Sequence, residues 1–226
     1  MTEIFDRISI QVGLSGYSFR IESESEVTSS GWLGAESIFT VPQMQRRYKD
    51  VLITVFTPYC TLVPENFHKP ELSAQLLSDV VDLPQGAVAD YVRIPEQNAV
   101  MVYSNSIGGT LHRVMSESVL RTDGTKAQPL PELYAMVKSL GDIKDYNRIV
   151  ASYMDGVLYL VIAQGKTLML CNTYSAPDFT TAEYFIFLAM KKLQLNPEMS
   201  SIYFRTPLDQ DQEMSLYRYF RNVEQI

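Results

Sequence analysis

The spacing of hydrophobic residues changes several times along the chain, and its first pattern predicts a β-hairpin. In residues 8–14, apolar side chains alternate with polar side chains or glycine, which is the period of two typical of a strand with one buried face. Ser15 and Gly16 then predict a tight turn, and apolar residues return in alternation through residues 17–21. A third strand is predicted to end near residues 32–33, so the chain begins as a meander of strands.

The rest of the first half predicts two helices around a buried strand. Residues 43–50 have a helical composition, and residues 51–56 form a β-branched and apolar run that is typical of a strand buried on both faces. Pro70 lies near the start of residues 69–81, where apolar side chains recur at helical spacing. The predicted order is therefore strand, strand, strand, helix, strand, helix.

The second half of the sequence repeats this order. Three alternating strands are predicted at 148–154, 157–163 and 168–174. Asp155-Gly156 is a type I′ turn signal between the first two strands, and Thr180 and Glu183 have the spacing of a capping box at the start of a helix. A further strand and a last helix are predicted at 201–204 and 212–223.

The segment that best fits a linker is polar and contains glycine and proline, at residues 123–129. We therefore divide the chain into a first half, residues 1–128, and a second half, residues 129–226. Short strands predicted between residues 83 and 128 form an insertion in the first half. The second half then opens with a predicted helix at residues 130–140.

Composition limits the classes of function. With 226 residues, of which 46% are hydrophobic, the chain can bury a substantial core. Its net charge of -7 argues against a nucleic-acid surface, which needs Lys and Arg gathered on one face. No segment approaches the ~20 apolar residues of a membrane span, and the charged first residues do not fit a signal peptide. We expect a cytoplasmic protein that binds no nucleic acid and does not insert directly into a membrane.

The cysteine and histidine content gives no sign of a metal centre. Cys60 and Cys171 are distant in sequence and lie in apolar or strand-like runs, so we expect buried free thiols in a reducing compartment. The chain has only two histidines, and its cysteines lack the close spacing of a zinc site. No metal ligand is predicted.

Two strand-turn-strand segments, residues 10–19 and 159–167, lie within the duplicated order of elements and resemble the actin-like ATPase superfamily. More narrowly, the sequence resembles a bacterial family of unknown function assigned to that fold. The resemblance implies an α/β fold with mixed sheets, in which two ribonuclease-H-like halves flank a nucleotide cleft and a small subdomain is inserted. Superfamily members in pilus assembly and cell division are cytoplasmic partners of membrane complexes, so a protein partner or self-association is also implied.

Active members of this superfamily carry an Asp on the first strand of each hairpin, two residues before a glycine. The carboxylate holds the metal of a bound nucleotide, and the turn amides face its phosphates. Here Gln11 stands at the first position and Val161 at the second, and neither side chain supplies the charge that a hard cation needs. No catalytic residue is therefore predicted. The candidate phosphate-facing residues are those of the two turns: Gly13, Leu14, Ser15, Gly16, Gln164, Gly165, Lys166 and Thr167.

Other motifs have simpler structural interpretations. Residues 165–167 read Gly-Lys-Thr, but a P-loop needs another glycine five residues earlier and a helix directly afterwards. Lys166 as an anion contact in the cleft stays open as a weaker idea. Residues 107–110, with two glycines, fit a loop or bulge better than a phosphate loop. Four aspartates fit helix caps or solvated charges better than metal ligands: Asp79, Asp82, Asp209 and Asp211.

Two functions remain open, and the missing carboxylates favour the first. It is a catalytically silent, cofactor-free actin-like protein that binds or scaffolds a partner. The alternative is a weak nucleotide-binding protein or unconventional ATPase, whose turns grip the phosphates of ATP with magnesium without the usual ligands. The apolar face predicted over residues 216–223 needs a cover, either from the other half or from a partner.

Overall fold

The fold is described from a computed structural model, which covers residues 7–226 apart from 15, 25 and 106–110. The chain forms two compact units. The first unit comprises Met1–Thr57, Gln85–Val88 and Ser104–Glu132, and the second comprises Pro58–Pro84, Ala89–Tyr103 and Leu133–Ile226.

In chain order the strands are β1 (Arg7–Val12), β2 (Gly16–Glu22), β3 (Val27–Ser29), β4 (Leu33–Gly34), β5 (Arg47–Tyr48), β6 (Asp50–Val55), β7 (Cys60–Pro64), β8 (Asp90–Ile94), β9 (Ala99–Tyr103), β10 (Leu120–Arg121), β11 (Pro129–Pro131), β12 (Asn147–Met154), β13 (Val157–Gln164), β14 (Thr167–Ser175), β15 (Ser201–Phe204) and β16 (Asn222–Gln225). The α-helices are α1 (Ser73–Ser78), α2 (Leu111–Ser118), α3 (Glu132–Ser139), α4 (Phe179–Lys192) and α5 (Gln210–Tyr217).

The first unit is built on a sheet with the order β3-β2-β1-β6-β11. Strands β1, β2 and β3 form an antiparallel meander, whereas β6 and β11 run parallel to β1. The apolar positions of the first predicted strand, Ile8, Ile10 and Val12, are buried in one core with Met115 of α2. The alternation in the sequence therefore predicts the buried face of β1 correctly.

The second unit contains a sheet with the same plan, in the order β14-β13-β12-β15-β16. Strands β12, β13 and β14 form the antiparallel meander, and β15 and β16 run parallel to β12. Helix α4 packs against this sheet through residues that include Ala182, Ile186 and Met190. The repeated strand order confirms the mixed α/β fold with duplicated ribonuclease-H-like sheets.

Strands β8 and β9 of the predicted insertion form a small sheet with β7, which precedes the predicted insertion, in the order β7-β9-β8. Val63, Val100 and Val102 of this sheet share a core with Leu77 of α1. This subdomain belongs to the second compact unit, whereas the sequence-based division places residues 83–128 in the first half. The boundary at residues 128/129 stays a prediction, because compact packing and the ancestry of the repeat need not divide the chain at the same place.

The three strands predicted over residues 148–174 are confirmed as β12, β13 and β14, but several predicted helices were wrong in type or extent. Residues 43–50 form part of a 3-10 helix, Pro42–Gln45, and then strand β5. The helix predicted at 69–81 is reduced to a 3-10 turn and α1.

The predictions for the last two helices also need correction at their ends. The N-cap of α4 is Asp178, whose carboxylate accepts from the backbone of Thr181, so Thr180 and Glu183 are not the capping box. The last predicted helix ends at Tyr217, because the chain then turns to pair β16 with β15. The glycine pair at 108–109 lies outside the described residues.

Candidate functional site

The side chain of Gln11, which stands where the resemblance calls for Asp, is held in a polar network within the first unit. Its Nε2 donates to Oε1 of Glu132 over 3.1 Å, and its Oε1 accepts from Oγ of Ser18 over 3.4 Å. Both ends of the amide are therefore used. An amide has the donor that a carboxylate neighbour requires, and Asp at this position would lack it.

Glu132 is a feature that the sequence interpretation missed. It is fully buried and is the first residue of α3, directly after β11, which runs parallel to β6 in the same sheet as β1. A carboxylate is favoured at a helix N-terminus by the helix dipole, and buried carboxylates require hydrogen-bond donors. A sequence signal existed in Pro131-Glu132, where a strand gives way to an apolar helix that begins with an acidic residue.

The first predicted turn is closed by a hydrogen bond within the hairpin. The Gly13 N–H donates to the Gly16 carbonyl oxygen over 2.9 Å, so this amide is already satisfied by the backbone. Leu14 is exposed at the tip, and Ser15 lies outside the described residues. Position 16 requires glycine for a steric reason, because a Cβ atom there would lie 2.1 Å from the carbonyl oxygen of Leu33 in β4.

The counterpart of this hairpin in the second unit is β12–β13, which corrects the sequence-based match to residues 159–167. In each sheet the corresponding hairpin joins the strand that runs parallel to its neighbour, β1 or β12, to the next antiparallel strand. The turn of β12–β13 is Asp155-Gly156, with φ of 52° and 74°. Positive φ at both positions is what a type I′ turn requires, so that turn prediction is confirmed.

This correction changes which residue corresponds to Gln11. Gln11 lies two residues before Gly13, and Ser152 lies two residues before Met154, the residue that pairs across the second turn. Ser152 is fully buried. The position that the resemblance assigns to the second carboxylate is therefore occupied by Ser152 and not by Val161, and neither residue is acidic.

The second predicted turn, residues 164–167, lies at the other end of β13 and corresponds to the turn between β2 and β3. The Gly165 N–H donates to the carbonyl oxygen of Tyr146 over 2.8 Å, and Nε2 of Gln164 donates to Oδ1 of Asn147 over 3.1 Å. Lys166 and Thr167 are exposed. The two predicted turns belong to different units, and a phosphate-facing role for either turn stays a prediction.

The aspartates and cysteines that the sequence analysis considered have structural roles or lie in apolar surroundings. Asp209 is the N-cap of α5 in a capping box with Gln212, and Asp79 is the C-cap of α1. Cys60 and Cys171 are free thiols, and Cys60 is buried as expected whereas Cys171 is half-buried. Burial raises the pKa of Cys171 to about 12 and raises the pKa of Cys60 well above its ordinary value, which keeps both thiols protonated.

Within the described ranges, no three His, Cys, Asp or Glu side chains gather closely enough to hold a metal ion. No helix in the part of the chain that the structure describes is long and apolar enough to cross a membrane.

Comparisons with known proteins agree with this fold. A family model described as protein of unknown function (DUF3822) matches residues 4–223. The chain is similar to a Bacteroides thetaiotaomicron protein with an actin-like ATPase fold and unknown function, with a TM-score of 0.68 and 15% identity over 97% of this chain and 90% of that chain. It is also similar to a chain of the PilM-PilN type IV pilus biogenesis complex, with a TM-score of 0.55 and 12% identity over 98% of this chain and 88% of that chain. No curated protein sequence matches significantly. At these identities the likeness concerns the fold, which is actin-like.

Proposed function

We propose, from the premise that the chain belongs to the DUF3822 family and has an actin-like fold, that it is a non-catalytic binding module. The observation that carries the proposal is the pair of residues at the carboxylate positions of the two hairpins, Gln11 and Ser152. Metal-assisted phosphoryl transfer depends on carboxylates that hold the cation against the phosphates. An amide and a hydroxyl at these positions supply no negative charge.

The hydrogen bonds of the predicted turns support the same proposal. The amides of Gly13 and Gly165, which would face phosphates in the alternative function, donate to backbone carbonyl oxygens instead. A phosphate that displaced either partner would leave a carbonyl group without its donor, and such a loss costs about 1 kcal/mol or more when the group is shielded from water. The free energy of anion binding by these turns is therefore reduced by the loss of these hydrogen bonds.

A protein partner or self-association is the interaction that we propose for this module. The similar PilM chain was solved in a complex with PilN, so this fold is compatible with a role in protein assembly. We further propose that the protein acts in the cytoplasm, uses no cofactor and binds no nucleic acid. The net charge of -7 supports the last point, because phosphate backbones repel an acidic protein.

Isothermal titration of the full chain with ATP and magnesium tests the proposal. We expect no saturable heat up to about millimolar nucleotide. Tight binding together with phosphate release would overturn the proposal. A matched variant, Glu132→Gln, shows whether any heat depends on the buried carboxylate beside Gln11.

A second candidate function is weak nucleotide binding, and Glu132 is the observation that favours it. A buried carboxylate beside the first hairpin is a group that active sites use as a base or as a metal ligand. A thermal-shift screen against nucleotides tests it, because ligand at 100 times its dissociation constant stabilises a protein by about 2.7 kcal/mol. A shift with ATP that disappears in Glu132→Gln would favour this function, and no shift at about millimolar ATP would exclude it.

A further inference from the structure

Helix α4 is apolar around more of its circumference than packing on one sheet requires. Residues 184–190 read Tyr-Phe-Ile-Phe-Leu-Ala-Met, without a charged side chain. Ile186 and Met190 are buried against the sheet, and Phe187 packs at the edge of the same core. Leu188 is half-buried and Tyr184 is exposed. A helix that is apolar on its outer side as well as its inner side is typical of one that is covered on both.

One flank of α4 contacts the turn between α5 and β16 through aromatic rings. The ring of Phe187 lies 4.9 Å from that of Tyr219 and 5.7 Å from that of Phe220. Tyr184 is 60% exposed and Tyr219 is 50% exposed. We call this surface the α4 face, defined by five residues: Tyr184, Phe187, Leu188, Lys191 and Tyr219.

Lys191 of the α4 face and three cations close to the face in sequence have no side-chain partners within the described ranges. Lys191 is one helical turn beyond Phe187, and Lys192, Arg218 and Arg221 are also exposed. None of the four side chains forms an ion pair or a hydrogen bond within the described ranges. By contrast, six other cations pair with carboxylates: Arg7, Arg20, Arg93, Arg121, Lys126 and Lys138.

We propose that the α4 face docks an acidic segment of a partner protein that carries aromatic or aliphatic anchor residues. This inference rests on the proposed function as a binding module and gives that module a surface. Aromatic residues and arginine are the groups that protein interfaces concentrate, and the anchors would pack against the exposed rings of Tyr184 and Tyr219. Acidic residues beside the anchors would pair with Lys191, Arg218 and Arg221, which gives the partner its charge.

The charge of the chain favours an acidic peptide over an anionic membrane or a nucleic acid as the partner of the α4 face. The chain carries a net charge of -7, which opposes approach to an anionic membrane or to a nucleic acid. Carboxylates also occur on the same helices, with Glu183 in α4 and the exposed Glu213 in α5. A peptide can place its acidic residues selectively against the cations, whereas a uniformly anionic surface cannot.

Fluorescence anisotropy with the full chain tests this proposal. The probe is a labelled amphipathic peptide of about 16 residues, with Leu and Phe along one helical face and Glu at the positions that flank this face. We expect saturable binding that weakens as salt rises from about 50 to about 500 mM. We expect Tyr184→Ser/Tyr219→Ser and, separately, Lys191→Glu/Arg218→Glu to weaken binding by about tenfold each.

Matched controls separate the α4 face from general charge attraction. Lys69→Glu/Lys144→Glu changes two exposed cations elsewhere in the second unit and should alter the dissociation constant by less than about twofold. The same peptide with Gln in place of Glu should bind about tenfold more weakly, because it lacks the charges that pair with the cations. Equal weakening by the control variant, or unchanged binding after the tyrosine substitutions, would overturn the proposal.

Two further outcomes would replace the peptide with another occupant. Vesicles with phosphatidylserine that bind through the same five residues would identify a membrane surface instead. A dimer in sedimentation analysis that Tyr184→Ser/Tyr219→Ser dissociates would identify a second copy of this chain. If the protein neither binds the peptide nor binds or hydrolyses ATP, the α4 face is rejected as a docking surface and the proposed function stands. If the protein turns over ATP, the proposed function is rejected whether or not the peptide binds.

Discussion

The hairpins β1–β2 and β12–β13 occupy the same place in two sheets of the same strand order, yet they use glycine for different reasons. Gly16 is required by the close approach of the Leu33 carbonyl oxygen. Gly156 is required by its φ of 74°, and a Cβ atom there would meet nothing closer than 3.7 Å. A glycine in such a turn therefore identifies a backbone constraint, and it does not by itself identify a phosphate site.

The residues at the carboxylate positions, on the strands that precede the two turns, also have different surroundings. Gln11 is held by hydrogen bonds to Ser18 and Glu132, whereas Ser152 is buried in the sheet. Each position is occupied by a residue that suits its local packing and hydrogen bonding. The following substitutions test whether the two hairpins are constrained in these separate ways.

Replacement of Gly16 should have the largest effect on stability. In Gly16→Ala, the new methyl group overlaps the Leu33 carbonyl oxygen and should separate β2 from β4, at a cost of about 3 kcal/mol in unfolding free energy. Gly16→Asn should be no better, because the obstacle is space and not φ. Urea unfolding of both variants gives the measurement, and a loss below about 1 kcal/mol would show that β4 moves aside freely.

The Gln11–Glu132 pair should show the next largest effect. Gln11→Glu keeps the size of the side chain but replaces the donor with a second carboxylate 3.1 Å from the first, which should destabilise the first unit by about 2 kcal/mol at neutral pH. The exchange variant Gln11→Glu/Glu132→Gln restores one donor and one acceptor and should recover most of the loss. Urea unfolding of Gln11→Glu, Glu132→Gln and the exchange variant measures the coupling, and additive effects would contradict a direct interaction.

Gly156 provides the matched contrast to Gly16. Gly156→Ala should lower the unfolding free energy by about 1 kcal/mol, because an L-residue at positive φ is strained. Gly156→Asn should lose less, since Asn tolerates this conformation. Calorimetric melting of the two variants tests the order, and an Asn variant as unstable as the Ala variant would indicate a steric constraint here too.

A smaller, pH-dependent difference between the units is expected from His112. Burial, followed by the charge of the neighbouring Arg113, lowers the pKa of His112 in the folded protein, so the unfolded chain binds the proton more tightly. Stability from neutral His112 is complete above the unfolded pKa of about 6.5 and is lost as pH falls below it toward the lower folded pKa. His112 lies in the first unit. When the pH is lowered from about 7.5 to about 5.5, the unfolding free energy measured by hydrogen exchange should therefore fall more for β1 than for β12.

A His112→Gln variant provides the control for this difference. It should flatten the pH dependence of the first unit over that range, because Gln does not titrate. An unchanged slope would assign the dependence to other groups.

The sequence predicts the repeated strands well because their signals are local. Alternation in residues 8–14 and the Asp155-Gly156 turn each determine a strand or a hairpin without distant contacts. The last helix was extended too far because Phe220 and Val223 fit a helical apolar face, although Val223 lies in β16 and pairs with Ile202. That pairing depends on β15, which no local pattern in the segment reveals.

The candidate site was harder to predict for a similar reason. Gln11 could be singled out by its resemblance to a carboxylate position, but its hydrogen bond to Glu132 joins residues 121 positions apart in sequence. The second hairpin was misplaced because β13 and β14 share the apolar strand pattern of β12 and β13. Only the parallel pairing of β12 with β15 identifies β12 as the counterpart of β1.

The central proposal is that this actin-like chain, with Gln11 and Ser152 at its two carboxylate positions, does not hydrolyse ATP. Release of inorganic phosphate from ATP with magnesium, measured with protein in excess over nucleotide, tests it most directly. We predict the same background rate for the natural chain, for Glu132→Gln and for buffer. Phosphate release well above background that Glu132→Gln abolishes would contradict the claim and place catalysis beside the first hairpin.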